Sequence, residues 1–149
     1  MFAQLVGARS RPVRNAVEAG AVKRFALAVG DLNPLYFDEG FAARSRWGRR
    51  IAPPTFPRTF DYGIIEEVRL PSAGLIHGEQ LYEYVRPLFV GEELLCHARF
   101  VETYRKDGKN GPMIFLVFER VGVDESGLEV VRAREMAIMT ETVAAGGGA

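Results

Sequence analysis

The sequence predicts a single-domain α+β fold, with helices in the first half and four antiparallel strands in the second. Three observations carry this expectation. Apolar residues recur at helical spacing as far as about residue 68, two-residue alternation takes over from about residue 75, and short breaks rich in Gly, Asn and Asp separate the alternating runs. The chain has 149 residues, 48% of them hydrophobic, which is enough for one core, and no repeat or linker divides it. The domain is expected over 1–143, with 144–149 a disordered tail because Ala144-Ala145-Gly146-Gly147-Gly148-Ala149 has nothing to bury.

Residues 1–14 are ambiguous, with Leu5-Val6-Gly7 a possible strand start. Asn15 and Glu18 have the spacing of a capping box, and Val22, Phe25, Ala26 and Val29 then form one apolar face of a helix over 16–29. Gly20 loosens its first turn. Gly30 stops the helix. A short helix is expected from Asp38 to Trp47, with Phe41 and Ala42 inward and the arginines outward. Pro53 and Pro54 suit the entry to a further helix, where missing N–H groups cost little, and Phe60, Ile64, Ile65 and Val68 have the spacing of a buried central helix. Leu70-Pro71-Ser72-Ala73-Gly74 ends it.

The second half alternates. Strands are expected over Leu75–Leu88, Leu94–Tyr104, Pro112–Val123 and Val130–Thr142, the third dense enough in Ile114, Phe115, Leu116, Val117 and Phe118 to be covered on both faces. Leu94, Cys96, Ala98 and Phe100 share one side of the second. Gly91-Glu92, Lys106–Gly111 and Asp124–Gly127 read as hairpin-type turns.

Formal net charge is zero, which gives no global field for nucleic acid or an acidic membrane. Arg44, Arg46, Arg49 and Arg50 are locally dense, either a solvated face or a contact to an anionic ligand tail. Cys96 is the only cysteine, so no intrachain disulfide forms, and its alternating apolar surroundings predict a buried small hydrophobe. The N-terminus lacks a signal-peptide pattern and no apolar run reaches the ~18 residues of a membrane span, so a soluble cytoplasmic protein is expected.

Gly30-Asp31-Leu32-Asn33-Pro34-Leu35-Tyr36-Phe37-Asp38 follows the first helix. Pro34 biases Asn33 away from helical angles, so Asp31 and Asn33 fall on a tight polar loop. Their side chains either face a cleft or fold back on their own backbone as Asx turns. This stretch resembles the signature of the MaoC-like (R)-specific enoyl-thioester hydratases, Gly-Asp-x-Asn-Pro-[Leu/Ile]-His-x-Asp, except that Tyr36 stands where the family has histidine. Ala52-Pro53-Pro54-Thr55-Phe56, His77-Gly78-Glu79-Gln80, Tyr84, Arg86-Pro87 and Gly91-Glu92 extend the resemblance over about residues 15–140. It implies a single hotdog domain, in which a curved antiparallel sheet wraps a long central helix.

In that family the aspartate and histidine hold one water, and a backbone N–H at the start of the central helix receives the charge that develops on the thioester oxygen. Asp31 and Asn33 are the matching catalytic candidates here, with Tyr36, Pro54, Thr55, Phe56 and Phe60 as substrate-binding candidates. Tyr36, with an ordinary pKa of about 10, is a poor base near neutrality. Pro54 falls on the family's oxyanion glycine and has no N–H. The chain therefore resembles the degenerate half of MaoC-like double hotdogs and the non-catalytic subunits of mycobacterial (3R)-hydroxyacyl-thioester dehydratases.

The expectation is a non-catalytic, acyl-accommodating subunit of a heteromeric enoyl-CoA or carrier-protein-thioester hydratase, paired with a second hotdog that keeps Asp and His. Two alternatives are a self-sufficient homodimeric hydratase using Asp31 and an acyl-CoA-binding regulatory protein. No cofactor or metal is expected, the thioester being the substrate. His77 and Glu79, expected to share one side of a strand, are assigned to structure or to the interface between units. Phe56, Phe60, Tyr62, Tyr82 and Tyr84 are either core or the lining of an acyl tunnel.

Overall fold

The alternating half of the chain folds as predicted into long strands, and a short strand from the N-terminal segment joins them. The structure, a computed structural model, describes residues 2–146. β1 (Val13–Ala16), β2 (Ile76–Tyr84), β3 (Glu93–Gly108), β4 (Gly111–Val123) and β5 (Glu129–Thr140) make one antiparallel sheet in the order β1-β3-β4-β5-β2. Lys109-Asn110 turns β3 into β4, and Asp124–Leu128 turns β4 into β5. Gly91-Glu92 is a turn but not a hairpin, because β2 pairs with β5 at the edge of the sheet and not with β3.

Leu94, Cys96, Ala98 and Phe100 are buried along one face of β3, as the alternation requires. α1 (Ala19–Val29) buries Val22 and Ala26 in the same core, and Phe25 turns its ring edge-on to Phe56 at 5.6 Å. Each fully buried Leu, Val or Phe of this cluster contributes roughly 1.5–3 kcal/mol by leaving water. Cys96 is fully buried and burial pushes its thiol up to about 12, so it packs as a hydrophobe.

Four local expectations are corrected. The capping box of Asn15 and Glu18 does not form; Glu18 is the N-cap without a side-chain bond, while Asn15 binds the backbone of Asp61 in both directions. α2 is only Glu39–Ala43, started by the Asp38 carboxylate accepting from Phe41 N, and Phe41 is exposed while Ala42 is buried. His77 and Glu79 do not share a side, since a bulge at Gly78 pairs them with Ala137 and Met136, which face opposite ways. A Cβ on Gly78 would sit 2.8 Å from Ile138 Cδ1. Residues 144–146 complete a last helix, α3 (Glu141–Gly146), and the remainder of the expected tail, 147–149, lies outside the described residues.

The largest correction concerns the central helix. The apolar spacing of Phe60, Ile64, Ile65 and Val68 predicts one, but the chain makes a single 3-10 turn, Phe56–Thr59, and then runs irregularly to Leu75. Pro57 has no N–H to continue a helix, and Gly63 takes a left-handed φ of 71°. Between them, the N-terminal segment holds the backbone extended: Asn15 grips Asp61, and the buried Ser10 hydroxyl donates to the Tyr62 carbonyl. Ile65 is buried, whereas Ile64 is 80% exposed. Among the described residues no helix is long and apolar enough to cross a membrane.

Candidate functional site

The site begins where α1 stops. Gly30 closes the helix at φ 75°, its N–H bonding Ala26 and Leu27 carbonyls, and Asp31 N also reaches the Ala26 carbonyl at 2.9 Å. The next residues fold back on themselves. Asp31 Oδ1 accepts from Asn33 N at 3.2 Å, and Asn33 Oδ1 accepts from Leu35 N at 3.0 Å, capping the 3-10 turn Pro34–Tyr36. Of the two outcomes left open by the sequence, the Asx turns are what forms. The turn delivers Tyr36 inward, leaving it 5% exposed.

The Tyr36 hydroxyl donates to Asp31 Oδ2 at 3.2 Å, so each oxygen of that carboxylate already accepts a hydrogen bond. Burial, then the Asp31 charge and the hydrogen bond to it, push the Tyr36 phenol up to about 12. It stays protonated at neutral pH and cannot take a proton from water.

Tyr36 forms one wall of a cavity of about 310 Å³, whose other sides are Trp47, Ile51, Ala52, Pro54, Tyr84, Val85, Arg86 and Pro87. Backbone bonds lace these segments together: Ile51 N to the Leu35 carbonyl, and Ala52 N to the Leu88 carbonyl. Tyr84 donates its hydroxyl to the Pro54 carbonyl at 2.5 Å, and burial raises its pKa. Arg86 is bound by both oxygens of Glu92, at 2.8 and 3.0 Å, and by Asp124 at 3.1 Å, with Phe89 under its guanidinium. The polar groups on the wall are thus committed to the protein itself, and the space suits an apolar group.

The sequence candidates separate into two sets. Asp31, Asn33, Tyr36 and Pro54 come together at this cavity, Asp31 and Asn33 through the loop that carries Tyr36. Thr55 is exposed on the following turn. Phe56 and Phe60 are 2% and 8% exposed and stack edge-on in the core at 5.6 Å, while Tyr62 donates to the Pro57 carbonyl there. Of the five tunnel aromatics only Tyr84 reaches the cavity wall. Trp47, Ile51 and Val85 line it without having been singled out; the lone tryptophan beside an arginine run was the available signal. His77 lies 3.9 Å from Glu135, which Arg120 and Arg58 also approach at 3.0 and 3.5 Å. Among the described residues no group of three or more His, Cys, Asp or Glu is placed to hold a metal.

Comparison with known proteins agrees with this architecture. Residues 4–133 match the family described as FAS1-like, dehydratase domain region. A UPF0336 protein of Streptomyces griseus is 39% identical over 94 residues, 58% of this chain and 63% of that protein, so the chain spans about three-fifths of the relative's length. The C-terminally truncated HadBC (3R-hydroxyacyl-ACP dehydratase) complex of Mycobacterium tuberculosis superposes with a TM-score of 0.78 at 20% identity, over 93% of this chain and 99% of that one. The ChsH1-ChsH2 complex of the same organism gives 0.75 at 19% identity, over 93% and 88%. The five-strand sheet is that of the hotdog dehydratases, and the chain belongs to the FAS1-like dehydratase-domain family of MaoC-like proteins.

Proposed function

We propose that this chain is the non-catalytic, acyl-accommodating subunit of a heteromeric enoyl-thioester hydratase, working with a second hotdog chain that supplies the Asp and His. The observation that carries the reading is the bond from Tyr36 to Asp31. Water activation needs a base near neutral pH, and here the carboxylate is tied to a phenol that holds its proton to about 12. The second requirement fails nearby, since Pro54 offers no N–H to a developing oxyanion, and its carbonyl, an acceptor, already receives the Tyr84 hydroxyl. What remains is an apolar cavity suited to an acyl chain.

The partner would sit along β2. That strand closes the sheet with one edge unpaired, and Ile76 and Leu81 on it, with Val85 just beyond, are exposed. An open edge of nine residues is a template for pairing with another strand. Two similar solved structures, HadBC and ChsH1-ChsH2, are themselves described as complexes, which supports a two-chain assembly. The substrate would be an acyl thioester, with no bound cofactor.

Co-expression with a hotdog chain that keeps both Asp and His tests this. The pair is expected to hydrate a crotonyl thioester while the single chain does not, and Asp31→Asn is expected to leave the pair's rate within about twofold. Brisk turnover by the single chain, abolished by Asp31→Asn, would establish a self-sufficient enzyme instead.

A further inference from the structure

We propose that Glu79 and Glu83 make the open edge of the sheet reject a second copy of this chain and select a partner strand that carries lysine or arginine at alternate positions. The inference rests on the two-chain reading above and deepens it by naming what the partner's strand must present. It starts from how carboxylates are used on the rest of the sheet. On β3, β4 and β5 every carboxylate meets a cation: Glu93, Glu102, Glu119, Glu129 and Glu135 at 3.0 Å or less, and Asp107 at 3.7 Å. Glu79 and Glu83 are exposed on β2 and, among the described residues, neither has an ion-pair partner.

The neighbouring guanidinium groups are turned to other acids. Glu79, Leu81 and Glu83 lie opposite Met136, Arg134 and Arg132, away from the core, while Tyr82 and Tyr84 lie opposite the buried Ala133 and Val131. Arg134 bonds Glu102 and Arg132 bonds Glu129, each at 2.7 Å, so Glu83 acts on Arg132 only through space. The edge therefore shows water an alternating row of Glu79, Leu81, Glu83 and, just beyond the strand, Val85. The row runs beside a strand edge with no neighbour, which is the half of a ladder that an added strand completes.

Antiparallel pairing of two copies through this edge would put both rows on one face, because opposite residues in such a pair share a face. A dyad at Leu81 sets Glu79 directly opposite the copy's Glu83, and does so twice. A dyad at Glu79 or at Glu83 sets that residue opposite itself. A dyad at Gln80 or Tyr82 leaves the acids on diagonals. Every one of these registers brings like charges to about 4.5–5.5 Å, or about 7–8 Å on the diagonal, and so opposes pairing. A strand with cations at alternate positions meets the same row with opposite charge, and an apolar residue between them covers Leu81. The backbone edge would hold any strand; the two glutamates make the choice.

The test uses the full chain, with variants of itself as the partner. Glu79→Lys/Glu83→Lys supplies a cationic strand and Glu79→Gln/Glu83→Gln a neutral one, and association is measured by sedimentation of differently labelled copies. The lysine variant and the unmodified chain are expected to form a one-to-one dimer about tenfold or more tighter than either forms with itself. The β2 amides should exchange more slowly in that dimer than in either chain alone. The glutamine variant should self-associate more tightly than the unmodified chain, and added salt should weaken the mixed dimer while strengthening self-association of the unmodified chain. A mixed dimer no tighter than the self-pairs would overturn the proposal, as would self-association unchanged in the glutamine variant. If the lysine variant does not fold, the glutamine comparison decides alone. No readout uses turnover: a single chain that hydrates crotonyl-CoA would end the non-catalytic reading, whereas a mixed dimer that does not form ends only this assignment.

Discussion

The hydroxyl of Tyr36 donates to Asp31 Oδ2 across 3.2 Å, joining the carboxylate of the family signature to the residue that replaces its histidine. The phenol is buried, faces a negative charge and donates to it, and all three favour its neutral form. Its folded pKa of about 12 stands above the unfolded value of about 10. The stability it contributes is therefore complete below about pH 10 and is lost as pH rises toward 12. Tyr62 and Tyr84, also raised by burial, add to the same alkaline window. The denaturation midpoint is expected to hold through neutrality and fall above about pH 10, less steeply in Tyr36→Phe. Phenolate absorbance should show the Tyr36 transition moving down in Asp31→Asn, because the Asp31 charge is removed while burial, its largest cause, remains.

Ser10 ties the edge of the sheet to the segment where a helix is missing. Its buried hydroxyl accepts from Ala98 N at 2.8 Å and donates to the Tyr62 carbonyl. Ser10→Ala leaves both a donor and an acceptor without a partner in a buried place. The expected loss is about 1–3 kcal/mol of unfolding free energy, read from a denaturant midpoint shift at unchanged slope.

Gly63 makes the irregular path possible. Its φ is 71°, and a Cβ there would lie 2.7 Å from the Arg11 backbone carbonyl and 3.2 Å from Ser10 Cβ. Gly63→Ala should cost roughly 1–3 kcal/mol through left-handed strain alone, with the clash added. Over residues 64–75 only Val68 N, bonded to Ile65 O, has a backbone turn bond to slow exchange, so these amides should exchange early, ahead of those in β3 and β4. Slow exchange there, comparable with the strands, would mean that the segment is helical after all.

The difference between what the sequence showed and what it hid has a physical pattern. β3, β4 and β5 were legible because Leu94, Cys96, Ala98 and Phe100, and their counterparts, alternate along strands long enough to carry a pattern. β1 was not, since four residues with Arg14 and Asn15 among them show no alternation, and pairing with β3 defines them. The helix expected through Phe60, Ile64 and Val68 had the right apolar spacing. It lost to Pro57, to the left-handed Gly63, and to the tethers from Ser10 and Asn15, whose own segment carried no signal of contact. At the site, Pro34 and the stop at Gly30 made the tight polar loop legible, but whether Asp31 and Asn33 face a cleft or close Asx turns was open until their bonds to Asn33 N and Leu35 N were seen. Phe56 and Phe60 could not be sorted from tunnel residues because burial in the core and lining of a cavity select the same side chains.

On the non-catalytic reading proposed above, two absences, imidazole at residue 36 and an N–H at residue 54, account for the missing water-activating centre, and restoring them together is the sharpest check. The Asp31 carboxylate lies 3.2 Å from the Tyr36 hydroxyl, and an imidazole is shorter than a phenol, so Tyr36→His opens room for one water between the two groups. Pro54→Gly adds the missing donor at a cost of about 1 kcal/mol in unfolded-chain entropy, and Tyr84 can still hold the turn, because its bond is to the residue 54 carbonyl. Neither single variant should hydrate crotonyl-CoA above background in the isolated chain, whereas Tyr36→His/Pro54→Gly should, with a pH profile rising as imidazole loses its proton near its ordinary pKa of about 6.5. Activity from Tyr36→His alone would show that another donor already serves the oxyanion. A folded, inactive double variant would show that the surviving cavity has lost more of the substrate's shape than these two groups.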